Sequence, residues 1–271
     1  MRLTRRQLLL WMLAGAAAAT TGASVASAYR FRVVQRSATL AGLTAPLRLT
    51  LLADLHFGPF IGAGSVAAWV AASNAAGPDL VLLDGDLVDR RGGDVAPLLR
   101  ELAGLRASLG TYAVWGNHDH VRFGDLSGFA ADLRSVGVEV LVNRGVAVRR
   151  ALYLAGIDDL RRGRPDLAAA LAGRPEGAAT LLLSHNPDVL PEVPLDVGLT
   201  LCGHTHGGQV RLPFVGALVT SSRYGQRFAQ GWVEGPARGY VTHGLGVSLL
   251  PIRVDCPAEL TVLDLLPEGA A

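Results

Sequence analysis

Five apolar runs of strand length shape this chain, and each one ends in a short polar motif. They cover residues 47–54, 79–84, 111–115, 180–183 and 197–201. Ala-rich stretches with helical periodicity lie between some of them, for example at residues 65–75 and 129–136. Strands that alternate with helices predict an α/β domain. In such domains ligands bind on loops at strand ends, so we expect the polar motifs to form the functional site.

The polar motifs carry the side chains that bind divalent metals. In chain order they are Asp54-Leu55-His56, Gly85-Asp86-Leu87-Val88-Asp89, Gly116-Asn117-His118-Asp119, Ser184-His185-Asn186 and Gly203-His204-Thr205-His206. An extended segment points alternate side chains the same way, so we expect Asp54 and His56 to converge as a chelating pair. The same argument applies to His204 and His206. Imidazole and carboxylate without thiolate suit manganese, iron, zinc or cobalt, so the ordered set predicts a metal centre.

The order of these motifs resembles that of the calcineurin-like metallophosphoesterase superfamily. The shared pattern is D-x-H, G-D-x-x-D, G-N-H-D, a single His and G-H-x-H, and it extends over residues 45–266. Residues 183–188 and 202–209 are most similar to the bacterial YkuE/YaeI-type exported phosphoesterases. The resemblance implies a four-layer α-β-β-α sandwich in which two mixed β-sheets pack face to face. It also implies a metal-dependent phosphoric ester hydrolase that acts on phosphodiesters or phosphomonoesters.

The resemblance further implies two divalent metal ions, which would be manganese, iron or zinc. The ligands of the first ion would be Asp54, His56, Asp86 and His206. The ligands of the second ion would be Asp86, Asn117, His185 and His204, so that Asp86 bridges the two. Such a pair would supply a bridging hydroxide for in-line attack at phosphorus.

Two residues of the G-N-H-D motif remain for catalysis. The resemblance implies that His118 stabilises charge or protonates the leaving oxygen, and that Asp119 orients the imidazole of His118. Two other functions stay open. One is a pyrophosphohydrolase of lipid-linked UDP-2,3-diacylglucosamine in lipid A synthesis, whose substrate is cytosolic. The other is a non-catalytic metal-binding protein of the cell envelope, which would not need His118 and Asp119.

The N-terminal residues have the pattern of an export signal. Arg5-Arg6 precede 21 uncharged residues, 8–28, which end in Ala26-Ser27-Ala28. This start resembles a twin-arginine signal, and a membrane anchor is the alternative. We therefore expect a signal peptide or anchor over residues 1–28, a basic linker over 29–44 and a phosphoesterase domain over 45–271. The twin-arginine machinery would then be a partner, and the protein would lie in the cell envelope or periplasm or on a membrane.

The charge balance excludes one class of partner. All 25 basic residues are arginines, and residues 1–28 hold three of them and no acid. The remaining chain therefore has 22 arginines against 23 acidic residues and is close to neutral. A protein that binds nucleic-acid duplexes would have a clustered basic face. The expected substrate is a phosphate ester, and its linkage to a lipid or to the cell wall stays open.

Overall fold

The computed structural model describes residues 22–235 and 237–269. Arg5-Arg6 and most of the uncharged N-terminal run lie outside these residues. Residues 22–28 are helical, and Ala28 is buried against the domain. Within the described ranges, no helix has the length and apolar character needed to cross a membrane.

Fourteen strands form in the described part of the chain, and five of them, β2, β3, β4, β8 and β9, follow the five apolar runs. They are β1 Phe31–Leu40, β2 Leu47–Ala53, β3 Leu80–Asp84, β4 Thr111–Val114, β5 Val138–Val140, β6 Arg144–Arg149, β7 Leu152–Gly156, β8 Ala179–Leu183, β9 Leu199–Cys202, β10 Arg211–Leu212, β11 Gly216–Ala217, β12 Gly231–Val233, β13 Gly239–Val241 and β14 Ala258–Pro267. One six-stranded sheet has the order β1-β14-β2-β3-β4-β5, and the other has the order β12-β13-β9-β8-β7-β6. Strands β10 and β11 form a separate hairpin.

The helices are short and lie on the outer faces of the sheets. They are α1 Ala63–Ala75, α2 Ala96–Leu102, α3 Asn117–Phe123, α4 Ser127–Ser135 and α5 Leu167–Leu171, with 3-10 turns at Pro187–Glu192, His206–Gly208 and Gly225–Phe228. The alternation along β2 shows how the layers form. Leu49 and Leu51 belong to the core between the two sheets, whereas Leu52 packs on the helical side. On the same side, the hydroxyl of Thr50 bonds that of Ser73 in α1 at 2.7 Å.

The four-layer sandwich with two mixed sheets is confirmed. In the first sheet β2, β3, β4 and β5 run parallel, and in the second β7, β8, β9 and β13 run parallel. The carboxyl ends of parallel strands share one edge of a sheet. Because the inner faces of the sheets pack together, the polar motifs that follow these strands come from both sheets to one place.

One prediction about the linker and the domain bounds is wrong. Residues 29–44 are not a linker in their central part, because β1 pairs in parallel with β14 along its whole length and so belongs to the sheet. Helix α2 ends at Leu102. Strand β13 ends at Val241, and the chain turns at Gly244, where φ is 66°.

Candidate metal centre

The site residues follow strands of both sheets. Asp54 and His56 come after β2, Asp86 after β3, and Asn117 begins α3 directly after β4. From the second sheet, His185 follows β8, and His204 and His206 follow β9. Six of these seven side chains form two adjacent groups of metal-binding geometry, and all six residues are buried.

The first cluster contains Asp54, His56 and His206. The Nε2 atoms of His56 and His206 are 2.9 Å apart, and His206 Nε2 is 3.4 Å from Asp54 Oδ1. Asp54 is fixed by the backbone N–H of His204, which donates to both carboxylate oxygens at 3.0 and 3.1 Å. Two imidazole nitrogens and one carboxylate oxygen therefore converge on a single point.

The second cluster contains Asp86, His185 and His204. His185 Nε2 lies 3.3 Å from Asp86 Oδ2 and 3.2 Å from His204 Nδ1. The other ring nitrogen of His185 donates to the carbonyl of Asp84 at 2.8 Å, which directs Nε2 toward the cluster. Asp86 Oδ2 is also 3.6 Å from His56 Nε2 of the first cluster. Asp86 therefore lies between the two clusters.

Asn117 presents an acceptor without a partner. Its Oδ1 is buried and accepts no hydrogen bond from a described residue. The chain around it is held close to Asp86, since the next residue, His118, donates its backbone N–H to Asp86 Oδ1 at 2.7 Å. Gly116 passes so near that a Cβ there would collide with the same oxygen.

These donor sets fit divalent cations. Burial lowers the pKa of His56 to about 4 and also lowers the pKa of His204 and His206, so these imidazoles are neutral and keep a lone pair. Burial raises the pKa of Asp54 to about 7, and the negative charge of Asp86 adds to the increase. Buried acceptors that face one another without protons are unfavourable unless a cation lies between them. Imidazole, carboxylate and amide oxygen are ligands of such ions.

The backbone at the ligands is not extended. Asp54, His56, Asp86, His204 and His206 have φ between 47° and 69°, in the left-handed region that residues with a Cβ rarely adopt. The expectation that His204 and His206 form one chelating pair is wrong, because they belong to different clusters. Left-handed conformations cost about 1–2 kcal/mol each and persist where the surroundings enforce them, which is typical of functional sites.

Arg253 supports the site, a role that the sequence did not assign to it. It is 1% exposed, and its guanidinium donates to the carbonyls of His243, Gly244, Gly246 and Cys256. The loop that it holds lies against Asp54, since a Cβ at Gly244 would be 2.6 Å from Asp54 Oδ2. A buried arginine bonded only to carbonyls was not recognisable from spacing or residue type.

The carboxylate beside His118 is not the expected one. Asp119 is completely buried, and its oxygens accept from the backbone N–H groups of Val88 and Gly116 at 3.1 and 2.9 Å. Asp89 Oδ2 instead lies 3.8 Å from His118 Nδ1. The expectation that Asp119 orients the imidazole is therefore wrong, because its carboxylate joins the loops after β3 and β4.

His118 lies at the open side of the clusters. Its ring contacts the ring of His56 edge to face at 4.5 Å between centroids, and its side chain is partly exposed. Nδ1 accepts a long hydrogen bond of 3.4 Å from the backbone N–H of Arg90. This bond assigns the proton of the neutral ring to Nε2, which is free to donate.

Several known proteins are similar to this chain. A family model described as "Calcineurin-like phosphoesterase" matches residues 47–208. The chain is 31% identical over 230 residues to the "Uncharacterized metallophosphoesterase YkuE" of Bacillus subtilis, covering 80% of this chain and 78% of that protein. It is 35% identical over 234 residues to the "Phosphodiesterase YaeI" of Escherichia coli, covering 82% and 83%. A crystal structure of TT1561 from Thermus thermophilus matches with a TM-score of 0.48 and 14% identity, covering 74% and 91%.

Proposed function

We propose a two-metal mechanism for this chain, which belongs to the calcineurin-like phosphoesterase family and is a metal-dependent phosphoester hydrolase. Its substrate is a phosphate ester. The proposal adds that hydrolysis of a phosphodiester or phosphomonoester proceeds at two divalent cations that share Asp86.

The position of Asp86 carries the proposal. Its Oδ2 lies 3.3 Å from His185 of the second cluster and 3.6 Å from His56 of the first. One cation would be held by Asp54, His56, Asp86 and His206, and the other by Asp86, Asn117, His185 and His204. Manganese, iron and zinc all suit these ligands. When bound, the pair supplies Lewis acidity that activates water for in-line attack at phosphorus.

The chain itself contributes positioning and a proton. The backbone N–H of His118 holds Asp86 Oδ1, so the carboxylate presents Oδ2 to both clusters. The Nε2–H of His118 then donates to a phosphoryl oxygen or to the leaving oxygen, which stabilises charge as the ester bond breaks. Asp89 Oδ2 lies 3.8 Å from Nδ1 of the same ring and so places negative charge behind the donor.

Location remains part of the proposal. Arg5-Arg6 and the uncharged run over residues 8–28 support export by the twin-arginine machinery and action in the envelope. An envelope location speaks against the cytosolic UDP-2,3-diacylglucosamine as substrate. A purely metal-binding role without turnover is set aside, because the family is one of hydrolases.

The stoichiometry of bound metal tests the proposal. Full-length protein purified without chelator and saturated with Mn²⁺ should hold two equivalents and hydrolyse bis(p-nitrophenyl) phosphate. Asp86→Asn should lose both equivalents and activity together, because it removes charge from both clusters. Asp166→Asn, a change at the N-cap of α5, is the control and should keep both. One equivalent in saturated wild-type protein would contradict the bridging role of Asp86.

A further inference from the structure

An exposed apolar surface lies beside the metal centre. The β10–β11 hairpin and the residues after it expose Leu212, Phe214, Val215, Leu218 and Val219, and Phe214 at the turn is fully exposed. Leu249 and Leu250 are exposed as well. Together they are seven of the thirteen large apolar side chains that are exposed among the described residues. Apolar side chains grouped in this way mark an interaction site.

A groove of about 390 Å³ lies in this surface, and its lining reaches the metal centre. Thr205 and His206 belong to the lining, and His206 is also a member of the first cluster. Apolar residues line the groove as well, among them Val219, Leu250 and Ile252. A ligand that fills the groove would therefore contact both a residue of the metal centre and apolar side chains.

Gln209 holds the two walls of the groove together. It lies just before the hairpin, and its Nε2 donates to the carbonyls of Leu250 and Ile252 at 3.1 and 3.0 Å. Its Oε1 accepts from the backbone N–H of Ser248 at 2.7 Å. One side chain thus satisfies three backbone groups of the opposite wall, so the groove is preformed.

Two arginines hold the chain beside the groove. Arg211 donates to the carbonyl of Gly207, next to His206, at 3.0 Å. Arg161 donates to the carbonyl of Ser221, which lines the groove. A phosphate ester bound beside these arginines would be attracted by both guanidinium groups.

The N-terminal run of the sequence indicates the source of the apolar group. Its last residues pack next to the groove, since the carbonyl of Ser24 accepts from the backbone N–H of Arg253 at 3.1 Å. Arg253 directly follows Ile252 in the groove wall. The run over residues 8–28 contains 21 uncharged residues, which is enough to enter the hydrocarbon region of a bilayer. Residues 22–28, the described end of this run, therefore lie beside the wall of the groove.

We propose that the groove holds an acyl chain of a membrane-lipid phosphate ester while the phosphate of that ester lies at the metal centre. This inference rests on the proposed function and names its substrate class. Phe214 and the other exposed side chains of the hairpin then contact the bilayer from which the chain is drawn. The bond that breaks is the phosphorus–oxygen bond of the ester, with water as the nucleophile, and the alcohol leaves with a proton.

A series of esters that share the same leaving group and differ in chain length tests the inference. Full-length Mn²⁺-loaded protein would be assayed with p-nitrophenyl phosphodiesters whose second group is methyl, butyl or octyl, as monomers. Each methylene that enters the groove should raise kcat/KM about two- to fourfold. Leu250→Ser should reduce the octyl-to-methyl ratio at least fivefold. Leu195→Ser, at an exposed leucine outside the groove, is the matched control and should keep the wild-type ratio.

The outcomes separate the two proposals. A wild-type kcat/KM that is equal for methyl and octyl esters would overturn the lipid substrate and leave the hydrolase intact. No release of p-nitrophenol from any ester by metal-replete protein would overturn the two-metal function itself. If Leu250→Ser keeps its metal and the wild-type octyl-to-methyl ratio of kcat/KM, the acyl chain does not bind in this groove.

A second arm identifies the source of the lipid. The p-nitrophenyl ester of phosphatidic acid in phosphatidylcholine vesicles should be hydrolysed by the wild type. Phe214→Ser should reduce that rate at least fivefold more than it reduces the rate on the methyl ester. Equal effects on both substrates would overturn the bilayer contact of the hairpin.

Discussion

At the scale of single residues, His118 separates catalysis from metal binding. Its imidazole is partly exposed, and the N–H that holds Asp86 belongs to the backbone, which substitution does not remove. His118→Ala should therefore keep both cations and lose about 10²–10⁴-fold in kcat. Metal analysis and turnover of bis(p-nitrophenyl) phosphate measure the two effects on one preparation. Loss of metal in this variant would instead make His118 a ligand.

The pair of His120 and Asp158 predicts a pH-dependent contribution to stability. His120 Nε2 lies 2.7 Å from Asp158 Oδ1, and this hydrogen bond raises the pKa of His120 above its usual 6.5. A raised pKa stabilises the fold fully below about pH 6.5, and the contribution disappears as pH rises through the folded value. His120→Gln should thus cost on the order of 1 kcal/mol at pH 5.5 and less at pH 8.5, because the pair is partly exposed and screened.

Urea unfolding of wild type and variant at both pH values measures the difference. Asp158→Asn removes the same charge pair and should show the same trend. A larger loss for His120→Gln at pH 8.5 than at pH 5.5 would reverse the assigned direction.

The sequence predicted which residues form the site better than what each one does. The histidines, aspartates and Asn117 stand in a rare order, and that order identified them. The roles of Asp89, Asp119 and Arg253 depend on how loops cross one another in space. Residue type reveals nothing about that crossing, because an aspartate that accepts from backbone amides looks the same as one that orients a histidine.

At the scale of elements, the loop after β13 packs against the metal centre and limits where its carboxylate can lie. Gly244 has φ of 66°, and a Cβ there would lie 2.6 Å from Asp54 Oδ2. Gly244→Ala should displace this carboxylate and weaken metal affinity at least tenfold, because the buried neighbour has little room to yield. Titration with Mn²⁺ measures the affinity.

Gly64→Ala is the matched control, since Gly64 lies in α1 with open space around its Cα. That change should stabilise the fold slightly, by about 0.5–1 kcal/mol, and leave Mn²⁺ affinity unchanged. Equal affinity in Gly244→Ala and the wild type would show that Asp54 tolerates the extra methyl group.

Elements with continuous apolar runs were predictable, and those without were not. The buried strands β2, β3 and β8 follow their runs to within one residue. Strand β1 was missed because it is an edge strand whose exposed face carries Arg32 and Arg36, which made it resemble a basic linker. Pairing with β14, some 230 positions away, is a property of the fold and not of the local sequence.

At the scale of the whole molecule, location decides which esters the centre can meet. Arg5-Arg6→Lys-Lys keeps the charge but removes the guanidinium pair that the twin-arginine route reads. The variant should remain in the cytoplasm, whereas the wild type and an Arg2→Lys control should be found in the envelope by fractionation. Protease added to intact cells cannot reach the cytoplasm. A wild-type catalytic domain that stays on the cytoplasmic side, protected from that protease, would contradict export.

The layered architecture was predicted by resemblance and not by periodicity. Alternation of strands and helices indicates an α/β domain, but it does not say that the strands divide into two sheets. That division appears only in long-range contacts, such as the packing of Leu49 and Leu51 with leucines of the second sheet.

The origin of the ligands in both sheets gives the cations a second role. Asp54 and His56 extend from one sheet and His206 from the other, so an ion bound in the first cluster would cross-link the two sheets. Free energy released on ligation adds to the free energy of unfolding. A shortage of metal would then lower more than the activity. It would weaken the contact between the two sheets and make the chain more susceptible to proteases, so that the abundance of the protein would follow the metal supply.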